Sequence, residues 1–111
     1  MSLENELEIF KDGSDEEVCK LVAARIKQLR LAGGYTQEAL AALANVPLRT
    51  YKRFERDGRS SFETFVQILR ALDRVQYLYL VVPSAGSHAN SAYAEKIANA
   101  RKRWQRPNSP Q

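Results

Sequence analysis

Residues 36–55 read TQEALAALANVPLRTYKRFE. Two helix-patterned stretches meet in this segment at a short break, and the placing of that break decides the fold. Thr36 carries the side chain of a helix N-cap, so a helix is predicted from Gln37 to about Ala44. Leu40 and Ala41 form its apolar side, and Val46 packs inward just after it. Asn45 occupies the turn, where a residue tolerant of left-handed backbone is needed. Pro47 stands at the start of the next helix, where a missing N–H costs little. That second helix is predicted over Leu48 to Arg56, stopping at Asp57-Gly58.

Positions 49, 52, 53 and 56 are three and four residues apart, so Arg49, Lys52, Arg53 and Arg56 share one helical face. Leu48, Tyr51 and Phe54 fall on or near the other side and can anchor the helix. A short helix, a tight turn and a second helix with a basic outer face make a helix-turn-helix, the unit that lays one helix in the major groove of double-stranded DNA. Arginine suits that task because its planar fork can bond guanine O6 and N7 together. Arg49 lies nearest the helix start, where base edges are read. Lys52 and Arg53 fit base or phosphate, and Arg56 and Arg59 fit backbone. The Gln37 amide can reach a phosphate beside the free N–H groups of a helix N-terminus. The candidate DNA-contacting set is therefore Gln37, Pro47, Leu48, Arg49, Thr50, Lys52, Arg53 and Arg56. The bland alternatives are a solvated basic face and an ordinary surface glutamine.

Outward from this segment, the pattern stays helical. Ser14 with Glu17 forms a capping box, and Val18, Leu21, Val22, Ile26 and Leu29 follow at helical spacing until Gly33-Gly34. Ser60 with Glu63 repeats the capping pattern, ahead of a helix with Phe62, Phe65, Ile68, Leu69 and Leu72 on one side. Asp73 is expected to cap a short fifth helix, VQYLYLVV, ended by Pro83. Its run Tyr77 to Val82 is too continuously apolar for a solvated helix. Part is expected in the core, and the rest would form a patch for a second subunit. Residues 1–13 form an acidic extension in which Leu3, Leu7 and Phe10 fit a helical stripe, while Leu7 and Ile9 fit a strand face equally well. Residues 14–83 make the DNA-binding domain. Residues 84–111 make a linker, SAGSHAN, and a basic tail with Tyr93, Ile97, Trp104, Lys96, Arg101, Lys102, Arg103 and Arg106. The tail fits phosphate tracking, an added dimer helix or disorder, with its last few residues disordered.

Charge is uneven. Seven acids (Glu4, Glu6, Glu8, Asp12, Asp15, Glu16, Glu17) against one base, Lys11, give residues 1–17 a net charge of −6, which leaves +10 for the rest of a chain totalling +4. A basic body favours polyanions. The single cysteine, Cys19, rules out an internal disulfide and fits a reducing cytoplasm; it reads as a buried small apolar residue. No segment reads as a membrane span or secretory signal. One His and one Cys cannot compose a usual zinc site, and His88 sits in the polar linker. No phosphate-cradling glycine loop and no nucleophile–base set is present, so neither an enzyme nor a cofactor is expected.

The text IKQLRLAGGYTQEALAALANVPLRTYKRFERDG, followed by FETFVQILRAL, resembles the Cro/CI-like helix-turn-helix repressors of the XRE family across residues 18–83. The matching marks are an arginine-bearing first helix, Thr36-Gln37-x-x-Leu40-Ala41, the turn, and the ending Phe54-Glu55-Arg56-Asp57-Gly58. The resemblance implies an all-α, five-helix, lambda repressor-like DNA-binding domain carrying N- and C-terminal extensions. It implies a prokaryotic or phage-type repressor acting as a homodimer on a two-fold operator. It places Gln37 on a phosphate and Arg49, Lys52 and Arg53 in the groove. It gives Glu55 a structural ion pair with an arginine of the first helix such as Arg30, whereas the residue alone also fits cytosine N4. Asn45 replaces the usual glycine, and Pro47 replaces a Ser or Thr whose hydroxyl would cap the helix and touch DNA. A protein partner, as for an antitoxin that binds a toxin and its own operator, is the other reading.

Overall fold

The computed structural model describes residues 2–85 and, as a helix, 91–104. In chain order the elements are α1 (Leu3–Asp12), α2 (Asp15–Ala32), α3 (Gln37–Ala44), α4 (Leu48–Asp57), α5 (Phe62–Ala71), a 3-10 turn (Val75–Tyr77), α6 (Leu78–Val81) and α7 (Ser91–Trp104). Every described element is helical. Two compact units divide the chain, Met1–Gln76 and Tyr77–Gln111.

In the first unit α2 packs on α4, α3 on α4 and α5, and α1 on α2. The core is built from one side of each of α2 to α5: Ala23 and Ile26 of α2, Leu40, Ala41 and Ala44 of α3, Val46 of the turn, Tyr51 and Phe54 of α4, and Ile68 and Leu69 of α5. The Phe54 ring lies 5.9 Å from that of Phe65 and 6.5 Å from that of Tyr51. Leu40, Tyr51 and Ile68 are fully enclosed. Each such side chain contributes about 1.5–3 kcal/mol by leaving water, and the three clamp α3, α4 and α5 into one relative arrangement.

The punctuation between helices follows from side-chain chemistry. Ser14 accepts from Glu17 N at 3.1 Å while the Glu17 carboxylate accepts from Ser14 N at 3.1 Å, completing the capping box expected there. Thr36 Oγ1 caps α3 through Ala39 N at 3.0 Å. Asn45 is left-handed (φ 57, ψ 44), as the turn requires. Its N–H donates to Ala42 O, and that of Val46 to Ala41 O; this paired closure is a Schellman motif. α2 ends likewise at Gly34 (φ 77), with Gly34 N on Leu31 O and Tyr35 N on Arg30 O. α4 ends at Gly58 (φ 73), whose N–H donates to Phe54 O.

Of the two readings open for residues 1–13, the structure takes the helix, Leu3–Asp12 capped by Ser2. Several expectations are corrected. The cap of α5 is Ser61, accepting from Thr64 N at 3.0 Å, and not Ser60 paired with Glu63. With that start Phe62 is the first helical residue, past the edge of the core and 71% exposed. Asp73 caps nothing with its side chain. It takes the left-handed conformation (φ 58) that closes α5, with Asp73 N on Arg70 O and Arg74 N on Leu69 O. The expected single fifth helix is a 3-10 turn followed by one α-helical turn. Within Tyr77–Val82 only Leu78 is half-buried, and the other five residues are exposed. Cys19 is exposed rather than buried. The glycine turn at Gly58 runs against its backbone and Cβ yet leaves the residue exposed. In the second unit α7 presents Lys96, Arg101, Lys102 and Arg103 to solvent. The side chains of Tyr93, Ile97 and Trp104, together with residues 86–90 (including His88) and 105–111 (including Arg106), lie outside the described residues. No helix among those described is long and apolar enough to cross a membrane.

Gly34 and Gly58 share the left-handed conformation but not their surroundings. A Cβ at Gly34 meets nothing within 4 Å, whereas one at Gly58 lies 2.4 Å from the backbone oxygen of Cys19. Gly34→Ala is expected to cost about 1 kcal/mol through backbone strain alone. Gly58→Ala is expected to cost roughly 2–4 kcal/mol, because a backbone carbonyl cannot swing aside. Urea denaturation of the two variants against the parent checks the ordering.

Candidate nucleic-acid interface

α4 separates its residues cleanly by face. Tyr51 and Phe54 are buried, Leu48 and Thr50 half-buried, and Arg49, Lys52, Arg53 and Arg56 exposed. A spacing of three and four residues produces this division in any helix anchored along one side. Pro47 precedes the helix at φ −55, ψ 139 and makes no side-chain cap. The first N–H groups of α4 therefore stay available to an outside acceptor, at the end of the helix that carries partial positive charge.

A broad open concavity runs beside this helix. Leu48, Arg49, Thr50, Lys52, Arg53 and Arg56 form one wall, and Arg59, Ser60, Ser61 and Thr64 form the other. Six of the eight sequence-derived candidates thus share one surface. Gln37 and Pro47 lie outside it. Ser60, Ser61 and Thr64 were missed as wall residues. Their signal was the Ser-Ser pair before α5, a second helix start beside the first. Arg56 is not a free cation: its guanidinium donates to Asp57 Oδ1 at 3.0 Å and to Oδ2 at 2.9 Å on the surface. The Arg56 bonds hold the Asp57 carboxyl below the usual carboxylate range.

Behind the basic face lies a buried polar cluster. Arg30 Nε donates to Glu55 Oε2 at 3.0 Å and Arg30 Nη2 to Glu55 Oε1 at 2.8 Å, with side-chain exposures of only 8% and 4%. Arg30 Nη1 donates to the Tyr35 carbonyl at 2.8 Å. The Tyr51 hydroxyl donates to Glu55 Oε2 at 2.5 Å, and Gln37 Nε2 to Glu55 Oε1 at 3.3 Å. Among the described residues no buried side-chain polar atom lacks a partner. Glu55 is thus the structural partner of Arg30, on the side of α4 away from the basic face.

Burial pushes the Glu55 carboxyl up, but the bonds from Arg30, Tyr51 and Gln37 outweigh it and hold the group below the usual carboxylate range. Burial, then the bond to Glu55, pushes the Tyr51 hydroxyl well above its ordinary value, so it stays a donor. The bond to Glu55 raises Arg30 against the opposing effect of burial. Both charges of the pair are therefore present at neutral pH.

Residues 26–80, about half of the chain, match the helix-turn-helix family. They form a Cro/CI-like helix-turn-helix domain of the XRE family. The protein is a DNA-binding transcriptional regulator of that type. Among proteins of curated function, none matches the chain in sequence.

The buried pair carries a pH signature. The Glu55 carboxyl has a lower pKa folded than unfolded, so its contribution is complete above the unfolded value. That contribution is lost as pH falls through the folded one. Glu55→Gln leaves Arg30 buried and unpaired, and is expected to cost about 3–5 kcal/mol at pH 7. The gap between parent and variant is expected to narrow below about pH 4. Denaturation midpoints measured from pH 7 to pH 3 check both the cost and its decline.

Proposed function

We propose that the protein is a repressor that occupies a two-fold operator as a homodimer in a prokaryotic cytoplasm. The observation that carries this reading is the exposed basic face of α4, set on a rigidly buried opposite side. Arg49, Lys52 and Arg53 enter the major groove, with Arg49 reading a base from the helix start. Gln37, the uncapped first turn at Pro47, Leu48 and Thr50, and Arg56 hold the phosphate backbone. Arg56 reaches a phosphate by exchanging Asp57 for it. Phosphate neutralisation supplies most of the affinity and the groove-facing arginines supply the choice of sequence. The exposed apolar run Tyr77–Val82 supports a second copy as the partner. A two-fold pair sets its recognition helices about 34 Å apart, one turn of DNA.

A protein partner of the antitoxin kind is the second reading. It is favoured by the exposed stripe Leu3, Leu7 and Phe10 on acidic α1, which DNA binding does not use. Salt separates the two. Operator affinity falls steeply with ionic strength, whereas an apolar protein interface does not.

Sequencing of random duplexes selected by the purified protein is expected to return a two-fold motif with half-sites one helical turn apart. A protein that enriches no motif would sink the operator reading. On the selected site Arg49→Ala is expected to cost about 1–3 kcal/mol and to relax preference at one base pair per half-site. Titrations on selected and random duplexes check this, and equal behaviour to the parent on both would remove Arg49 from the groove.

A further inference from the structure

The bond from Gln37 to Glu55 fixes more than the position of one side chain. A carboxylate only accepts, so the Gln37 amide can face it in one orientation, nitrogen inward. The flipped amide would set its oxygen against Glu55 Oε1, lone pair against lone pair. One N–H of Gln37 Nε2 is engaged by Glu55 at 3.3 Å. The other diverges from it in the amide plane and is left for an outside acceptor. Gln37 is the first residue of α3, and the cap Thr36 takes the N–H of Ala39. The backbone N–H groups of Gln37 and Glu38 thus lie in the same first turn as that amide. A phosphate oxygen, an acceptor carrying negative charge, suits this group of donors. Glu55 would repel such a phosphate if its charge stood alone, but two bonds from Arg30 and one from Tyr51 offset it.

We propose that Glu55 is a positioning residue for DNA binding: it locks the Gln37 amide so that the second N–H of Nε2 is presented to a backbone phosphate. The assignment rests on the reading of Gln37 as a phosphate contact and deepens it. The far end of the recognition helix thereby holds the phosphate clamp at the start of α3. A change at Glu55 alters backbone grip without touching a base-reading residue. Immobilising the amide before DNA arrives removes part of the ordering cost of the contact.

Four full-length proteins test this: parent, Gln37→Ala, Glu55→Gln and the double variant. Each is titrated with the selected and random duplexes at a temperature where denaturation curves show it folded. In the parent, Gln37→Ala is expected to raise Kd about tenfold on both duplexes, the low end for a hydrogen bond to a charged group. In Glu55→Gln, whose amide tolerates either orientation of Gln37, the same change is expected to raise Kd less than about twofold. A tenfold effect in both backgrounds would mean that Glu55 only supports the fold, and would overturn the proposal alone. No effect of Gln37→Ala in the parent would remove the phosphate contact and the proposal with it. Should Glu55→Gln not fold, the order parameter of the Gln37 side-chain amide in the DNA-free parent decides. A value near the rigid-backbone level of about 0.85 supports the lock, and one below about 0.6 overturns it.

Discussion

Four donors from three side chains converge on the Glu55 carboxylate, and those side chains belong to α2, α3 and α4. Their burial makes the cluster consequential. A surface ion pair contributes about 0–1 kcal/mol and tolerates rearrangement. A pair with 8% and 4% exposure cannot lose one partner without stranding the other in a poorly solvating interior. The pair therefore constrains the angle between α2 and α4 as well as holding them together. The apolar contacts of Ile26, Leu40 and Phe54 are non-directional and would accept small slides of α4. The forked bonds of Arg30 to both Glu55 oxygens would not.

That constraint is what a DNA reader needs. A recognition helix discriminates bases only if its side chains arrive at a fixed height and rotation. Tyr51 and Phe54 fix rotation by burying one side of α4, and Glu55 fixes height by tying its C-terminal half to the end of α2. Gly58 completes the placement: its turn runs so close to the backbone of Cys19 that no side chain fits between. The exposed side of the same ten-residue helix is left to charge alone, with Arg49, Lys52 and Arg53 free to adjust. Rigidity behind and freedom in front thus coexist within one element.

Much of this was legible in residue order because it rests on local chemistry. The Ser14–Glu17 box, the Thr36 cap, the left-handed Asn45 and the stops at Gly33-Gly34 and Gly58 each depend on residues within about four positions. The two faces of α4 follow from helical period. The errors lie where local signals compete. Ser60 and Ser61 are both competent caps, and in the folded chain the second accepts from Thr64 N. Asp73 has the side chain of a cap, yet also tolerates the left-handed backbone that closes α5, and the closure prevails. Cys19 has an apolar residue's habits, but burial depends on what passes over it, and what passes over it is a glycine turn.

Residue order alone specified α2, α3 and α4, the tight turn, the basic face and, through its family marks, the kind of molecule. These depend on side-chain period, caps and turns, all of which act over a few residues. The family marks implied a pair between Arg30 and Glu55, 25 positions apart; only the packed structure shows that it is buried and shares its site with Tyr51 and Gln37. It also set α4 and the start of α5 as two walls of one concavity. The physical reason is distance along the chain. A hydrogen bond across 25 residues forms only after α2, α3 and α4 have packed, and no local propensity specifies where their ends will meet.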